Sequence, residues 1–152
     1  MSHCVTLTGE DFAIVNGRVL SDVADQDWGQ LEFESDIASV KNSKNDNALY
    51  AYNTTGKQGK LTMRIAVGSS DDKFLTSLLN TMDADFSGFN LLSGTFVKRV
   101  GNGRGGITTK VYECSGGVFK RRPNIKSNSE GDVTQSVVVW EIIFSNAAPT
   151  IQ

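Results

Sequence analysis

The stretch "GNGRGG", Gly101 to Gly106, carries the glycines of a G-x-G-x-x-G fingerprint in register. That fingerprint holds a dinucleotide only where a strand enters and a helix leaves, because the helix's free N-terminal amides carry the pyrophosphate. Here "FNLLSGTFVKRV" enters as a strand and "ITTKVYECS", rich in β-branched and aromatic residues, leaves as another. The stretch therefore reads as the connector of a β-hairpin, with glycine where the turn needs positive φ, and the chain reads as antiparallel β.

The surrounding sequence repeats the pattern. "AIVNGRVL" sets Asn16-Gly17 between two short apolar runs, a tight hairpin signal. "GQLEFESDI" alternates, placing Leu31, Phe33 and Ile37 on one face and Glu32, Glu34 and Asp36 on the other. "LTMRIAV" lines up Leu61, Met63, Ile65 and Val67, "GGVFKRR" adds another strand, and "VTQSVVVWEIIFSNA" reads as a mid-sheet strand buried on both faces. "GSSDDKFLTSLLNTMD" breaks the alternation and predicts a helix over about 70–83. Ser69 or Ser70 caps it, Asp71 and Asp72 sit at its positive end, and Phe74, Leu75, Leu78, Leu79 and Met82 form its apolar face. First-turn carboxylates favour capping over a metal pair. The polar excursion 38–60 reads as a long extended loop with a contact role, in which Tyr50 and Tyr52 are set among Lys41, Lys44, Asp46 and Lys57. The fold class expected is mainly β, an antiparallel barrel or sandwich with one flanking α-helix, in a single domain, 1–152.

Composition narrows the function. A chain of 152 residues can bury one core without a metal or disulfide, and 15 glycines against 2 prolines suit a turn-rich β protein. The N-terminus shows no basic region followed by an apolar run, and no window approaches 18 uncharged apolar residues, so synthesis in a cytoplasm and no membrane insertion are expected. Cys4 and Cys114 read as free thiols, since two cysteines and the single His3 cannot complete a structural zinc site. With no nucleophile–base pair or catalytic motif in the sequence, no enzyme activity, cofactor or metal is expected.

Charge is segregated. Residues 1–36 hold eight acids against Arg18 alone, and residues 97–126 hold eight bases against Glu113 alone, so the net charge of −2 is a cancellation. The two blocks could be solvated or paired within the monomer. The basic block, Lys98, Arg99, Arg104, Lys120, Arg121 and Arg122, could instead bind nucleic acid as an OB-like module with Tyr112 and Phe119 as stacking platforms. In the third reading the acidic surface of one copy meets the basic surface of the next, which is head-to-tail self-assembly.

The order and spacing of "NGRVLSDVAD", "QLEFE", "NALYAYNTTGKQGKLTMRIAVGSSDDKFLTSLLN", "LLSGTFVKRVG", "SGGVFKR" and "SNSEGDVTQSVVVWEIIFSNA" resemble the tail tube proteins of tailed phages with contractile tails, over roughly residues 11–147. The resemblance implies a β-barrel or sandwich with one helix, shared with the tube protein of type VI secretion. It implies hexameric rings stacked into a tube that conducts double-stranded DNA without binding it specifically. The implied partners are further copies, the tail sheath, the tape measure protein, the baseplate hub and the tail terminator, and the implied location is the virion tail tube. Another tail or baseplate component is the neighbouring alternative. On this resemblance Glu32, Glu34 and Asp36 are expected either to face the channel, where an acidic wall lets DNA slide, or to face outward solvent or a basic neighbour. The 38–60 loop is expected to reach a neighbouring subunit or ring. "KRRPNIK" has no clear place in the family pattern, so the surface holding Arg121 and Arg122 is open.

Overall fold

The structure is a computed structural model and describes residues 4–7, 9–23, 28–33, 35–53, 57–125, 127, 129 and 136–151, without the side chains of 150 and 151. Its strands in chain order are β1 (Thr6–Leu7), β2 (Phe12–Val15), β3 (Arg18–Val19), β4 (Gly29–Phe33), β5 (Ala38–Asn42), β6 (Ala48–Tyr52), β7 (Gly59–Ala66), β8 (Leu92–Gly101), β9 (Ile107–Arg121) and β10 (Val137–Ile151). A single helix, α1 (Ser70–Ala84), follows β7. The main sheet runs β3-β2-β8-β9-β10-β7-β4, with β1 added beside β8, and every pairing in it is antiparallel.

Both hairpins read from glycine form as expected. Asn16 and Gly17 take positive φ between β2 and β3. Gly101 pairs with Ile107 across the second turn, where Gly103 and Gly105 have φ of 79° and 86° and Asn102 Oδ1 accepts from Arg104 N and Gly106 N. The loop conformation is thus fixed by glycine and an asparagine side chain, with no helix to receive a phosphate.

The sheet buries one face. Leu61, Met63 and Ile65 of β7 alternate into the core beside Val138, Trp140, Ile142 and Phe144 of β10. The sheet curls until its last strand meets its middle: Trp28, just before β4, stacks on Phe96 of β8 at 5.8 Å, and Phe33 reaches Tyr112 of β9 at 6.0 Å. Gly94 and Gly117 clear a slot for Phe144, since a Cβ at either would come within 2.7 Å and 2.6 Å of its ring. Two expectations are corrected here. β10 is mid-sheet but buried on one face only, with Val139 exposed, because its other face carries half-buried charges of β7 and of β10 itself. Val67 lies beyond the end of β7 and is exposed.

The helix covers the inner face through Leu75 and Leu79, with Phe74, Leu78 and Met82 half-buried around them. Ser69 caps it by accepting from Asp72 N. Its two aspartates do more than complement the dipole. Asp71 is fully buried and accepts from Arg18 Nε, Ser21 N and Asp22 N at 2.8, 2.6 and 2.7 Å. Asp72 accepts the indole N–H of Trp140 at 3.1 Å. The helix is tied at one end to the β2–β3 region and to β10.

Candidate assembly surface

The sheet face opposite the core carries a row of alternating charge. The pairing of β4 with β7 places Glu32 beside Lys60, whose Nζ lies 3.5 Å from Glu32 Oε2 and 4.0 Å from Glu141 Oε1. Arg121 Nε follows at 3.7 Å from Glu141 Oε2, an oxygen without solvent contact or a hydrogen bond. Arg121, Glu141, Lys60 and Glu32 thus alternate in sign across β9, β10, β7 and β4, and Glu32 sits on the outer strand. The Lys60 side chain is only 17% exposed.

Of the acidic trio expected on this face, the structure describes Glu32 and Asp36, and of these two only Glu32 lies on a strand. Glu32 is there, with a cation beside it. Asp36 lies past the end of β4 on an exposed connection, where its carbonyl accepts from Asn53 Nδ2. Glu34 lies outside the described residues, as do His3, Asp25, Asp27 and Lys126.

Within the excursion 38–60, residues 38–52 form a hairpin rather than a plain loop, because the polar stretch conceals two short strand-forming runs. β5 and β6 form their own two-stranded sheet, pairing Ala38 with Tyr52 and Val40 with Tyr50, and all ten strand residues are exposed. Lys41, Tyr50 and Tyr52 lie on its strands, Lys44 and Asp46 in its turn, where Asp46 has φ of 60°, and Lys57 lies beyond its base just before β7. A two-stranded hairpin in water is marginal, and this one packs no side chain into the core.

Where the hairpin leaves the body there is a cleft of about 380 Å³ that the sequence pattern did not reveal. Phe33, Ile37, Tyr52, Lys57, Tyr112 and Pro149 line it. Lys110 Nζ sits 5.3 Å from the Tyr112 ring centre. The cleft exists because β10 runs on past the start of β7, which pairs no further than Phe144 with Gly59.

The basic block is divided rather than gathered. Lys98 Nζ is 2.9 Å from Asp11 Oδ2 and Arg99 Nη1 is 3.5 Å from Glu10 Oε2, so β2–β8 pairing brings part of the two opposite blocks together inside one chain. Arg122 bridges Asp83 at 2.7 Å near the end of α1, Arg104 is exposed in the β8–β9 turn, and Lys120 is exposed on β9. Phe119 is buried against Trp140, and Tyr112 belongs to the cleft. The stacking platforms of a single-strand binder are therefore not displayed beside these cations. Burial pushes the Cys114 thiol up to about 11, while Cys4 is exposed. Among the described residues no cluster of His, Cys, Asp or Glu could hold a metal ion, and no helix is long and apolar enough to cross a membrane.

A family model described as "Bacteriophage PhiTE tail tube protein" matches residues 1–148. Among solved structures, the fold is similar to the sheath/tube terminator of an extracellular contractile injection system (PVC) in its extended state, with a TM-score of 0.57 and 12% identity over 95% of this chain and 94% of that one. It is also similar to a chain of the PVC sheath-tube complex, with a TM-score of 0.56 and 10% identity over 93% of this chain and 87% of that one. A chain of the anti-feeding prophage tube-terminating cap gives a TM-score of 0.56 and 10% identity, over 97% of this chain and 90% of that one. No individual curated protein matches the sequence. At such identities the structures show a shared fold, whereas the family match spans nearly the whole sequence: the chain belongs to the bacteriophage PhiTE tail tube protein family and is a structural component of a phage tail.

Proposed function

We propose that six copies close into a ring, that rings stack into the inner tube of a contractile tail, and that the charge-alternating sheet face lines the channel that conducts DNA. The observation that carries this reading is the family match over residues 1–148. The structure supports it physically. Among the described residues β4 ends the order of the main sheet with no partner beyond β7, an edge that a neighbouring subunit would cover. The exposed hairpin is an element that needs a partner to be stable.

The wall need not be acidic to be slippery. Duplex DNA carries about one charge per 1.7 Å of axis, and a ring of unpaired lysines would release its counterions and hold it. Lys60 has a carboxylate on either side, so a passing phosphate would have to compete with Glu32 and Glu141 for it. Residual repulsion from Glu32 is about 1 kcal/mol per charge pair at 4 Å in water and fades over about 8 Å at physiological salt.

The chain would be made in the host cytoplasm and meet the sheath outside the tube, the tape measure protein inside it, and the hub and terminator at its ends. A second reading, a ring that terminates the tube, is favoured by the two terminator and cap chains among the structural neighbours. Electron microscopy of the purified protein, alone and with tail initiation components, separates these readings. Tubes of uniform diameter support the tube subunit, and single rings support a terminator. A monomer that stays monomeric in both conditions removes both.

A further inference from the structure

α1 ends at Ala84 within "DADF", residues 83–86, and the turn that follows holds an aromatic ring out in water. Asp85 Oδ1 accepts from Ser87 Oγ at 2.9 Å and from Gly88 N at 3.2 Å, Asp85 N donates to Thr81 O, and Phe89 N donates to Phe86 O. Phe89 is packed against the core, so both ends of the turn are anchored, and Phe86 between them is 65% exposed. The hydrogen bonds from Ser87 and Gly88 hold the Asp85 carboxyl below its usual range, so the ring is flanked by a fixed negative charge. A large side chain presented this way loses little freedom on burial and suits the centre of an interface.

The cleft at the hairpin base is its complement in polarity and charge. It is apolar and aromatic, about 380 Å³, with Phe33, Ile37, Tyr52 and Tyr112 among its lining residues. Lys57 is one of its lining residues and Lys110 lies over Tyr112, and neither has an ion pair among the described residues. Pro149 lines the cleft on β10 and has no N–H to offer an added strand, which favours insertion of a side chain over strand pairing.

We propose that Phe86 of one copy seats in the cleft of a second copy, with Asp85 meeting Lys57. Knob and socket lie on different surfaces of one chain, so the contact is heterologous and propagates from copy to copy. The inference rests on the self-assembly reading above and names which side chains make one of its contacts.

The test is a photo-crosslinking phenylalanine analogue at position 86 in assembled tails, read by mass spectrometry, together with Phe86→Ala, Phe86→Leu and Lys57→Glu. The expected result is a crosslink between copies mapping to the peptides that hold Tyr52, Lys57 or Tyr112. Phe86→Ala and Lys57→Glu should each cut the yield of tubes by roughly tenfold, Phe86→Leu should retain most of it, and the monomer's melting should stay unchanged. If tubes form and the crosslink maps elsewhere in the second copy or to a different protein, the socket assignment falls and the tube reading stands. If particles carry no second copy within reach of residue 86 and no tube is seen, both fall.

Discussion

Arg18 Nε lies 2.8 Å from Asp71 Oδ1, and it joins the β2–β3 hairpin to the first turn of the helix across 53 residues of sequence. The two ends of this pair are unequal. Asp71 has no exposed surface, while the Arg18 side chain is 38% exposed and lies 5.3 Å from the Phe74 ring centre. Removing the carboxylate strands two backbone N–H donors as well as the guanidinium, whereas removing the arginine leaves Asp71 its two backbone partners. Asp71→Ala is therefore expected to cost about 3 kcal/mol and Arg18→Ala about 1 kcal/mol, given solvent screening of the exposed partner. Urea unfolding of the monomer with equal m-values checks the ranking, and equal losses would contradict it.

The Phe144 slot predicts a steric penalty. A Cβ at Gly117 would lie 2.6 Å from Phe144 Cε1 and 3.0 Å from Leu92 O, so neither side chain nor backbone can yield without repacking. Gly117→Ala is expected to destabilise by about 1–3 kcal/mol, with partial recovery when Phe144→Leu is added. The melting temperatures of the single and double variants measure this, and additive losses would show that the two positions do not share space.

Burial of Cys114 gives a pH dependence with a definite sign. Its folded thiol titrates at about 11 against an ordinary value of 9.0, because burial disfavours the thiolate. The neutral thiol's contribution to stability is fully present below about 9 and is lost as pH rises from there through 11, since the unfolded chain ionises first. Cys114→Ala should flatten the stability profile between those values. At pH 8 iodoacetamide should label the exposed Cys4 and spare Cys114 until the chain unfolds.

The hairpin separates folding from assembly. Tyr50 and Tyr52 are 75% and 68% exposed and contribute nothing to the core. The double variant Tyr50→Ala, Tyr52→Ala should leave monomer stability within about 0.5 kcal/mol while abolishing tube formation. Parallel melting and electron microscopy read the two effects, and normal tubes would remove the hairpin from the interface.

Much of the fold is legible in the sequence because its signals are local. Asn16-Gly17 and the Gly101–Gly106 connector set their hairpins through φ, and the helix is fixed by Ser69 and a 3.6-residue apolar period, ending one residue later than expected. What the sequence hides is non-local. Asp71 looks like any first-turn acid until the fold brings Arg18, Ser21 and Asp22 to it. Glu32 looks unneutralised until β7 lays Lys60 alongside. The charge blocks look like two free surfaces until Phe12 pairs with Val97 and draws Asp11 to Lys98. The cleft has no sequence signature, because it is assembled from the end of β4, the hairpin base, β9 and β10.

The proposed channel lining predicts an effect on DNA passage. Glu32→Lys, Glu141→Gln removes the two carboxylates described beside Lys60 and makes the row more cationic, a change that the proposed ring would repeat in every copy. DNA ejection in vitro should slow by roughly tenfold at low salt and recover as salt rises, the signature of phosphate binding. Wild-type rates at every salt concentration would put this face somewhere other than the channel.

A reconstruction of the intact tail by electron cryomicroscopy would show how the copies are arranged. This chain is expected in stacked six-fold rings, with Glu32, Lys60, Glu141 and Arg121 turned toward the axis and the β5–β6 hairpin buried against another copy. Copies whose charged row faces outward, or whose hairpin touches only solvent, would contradict it.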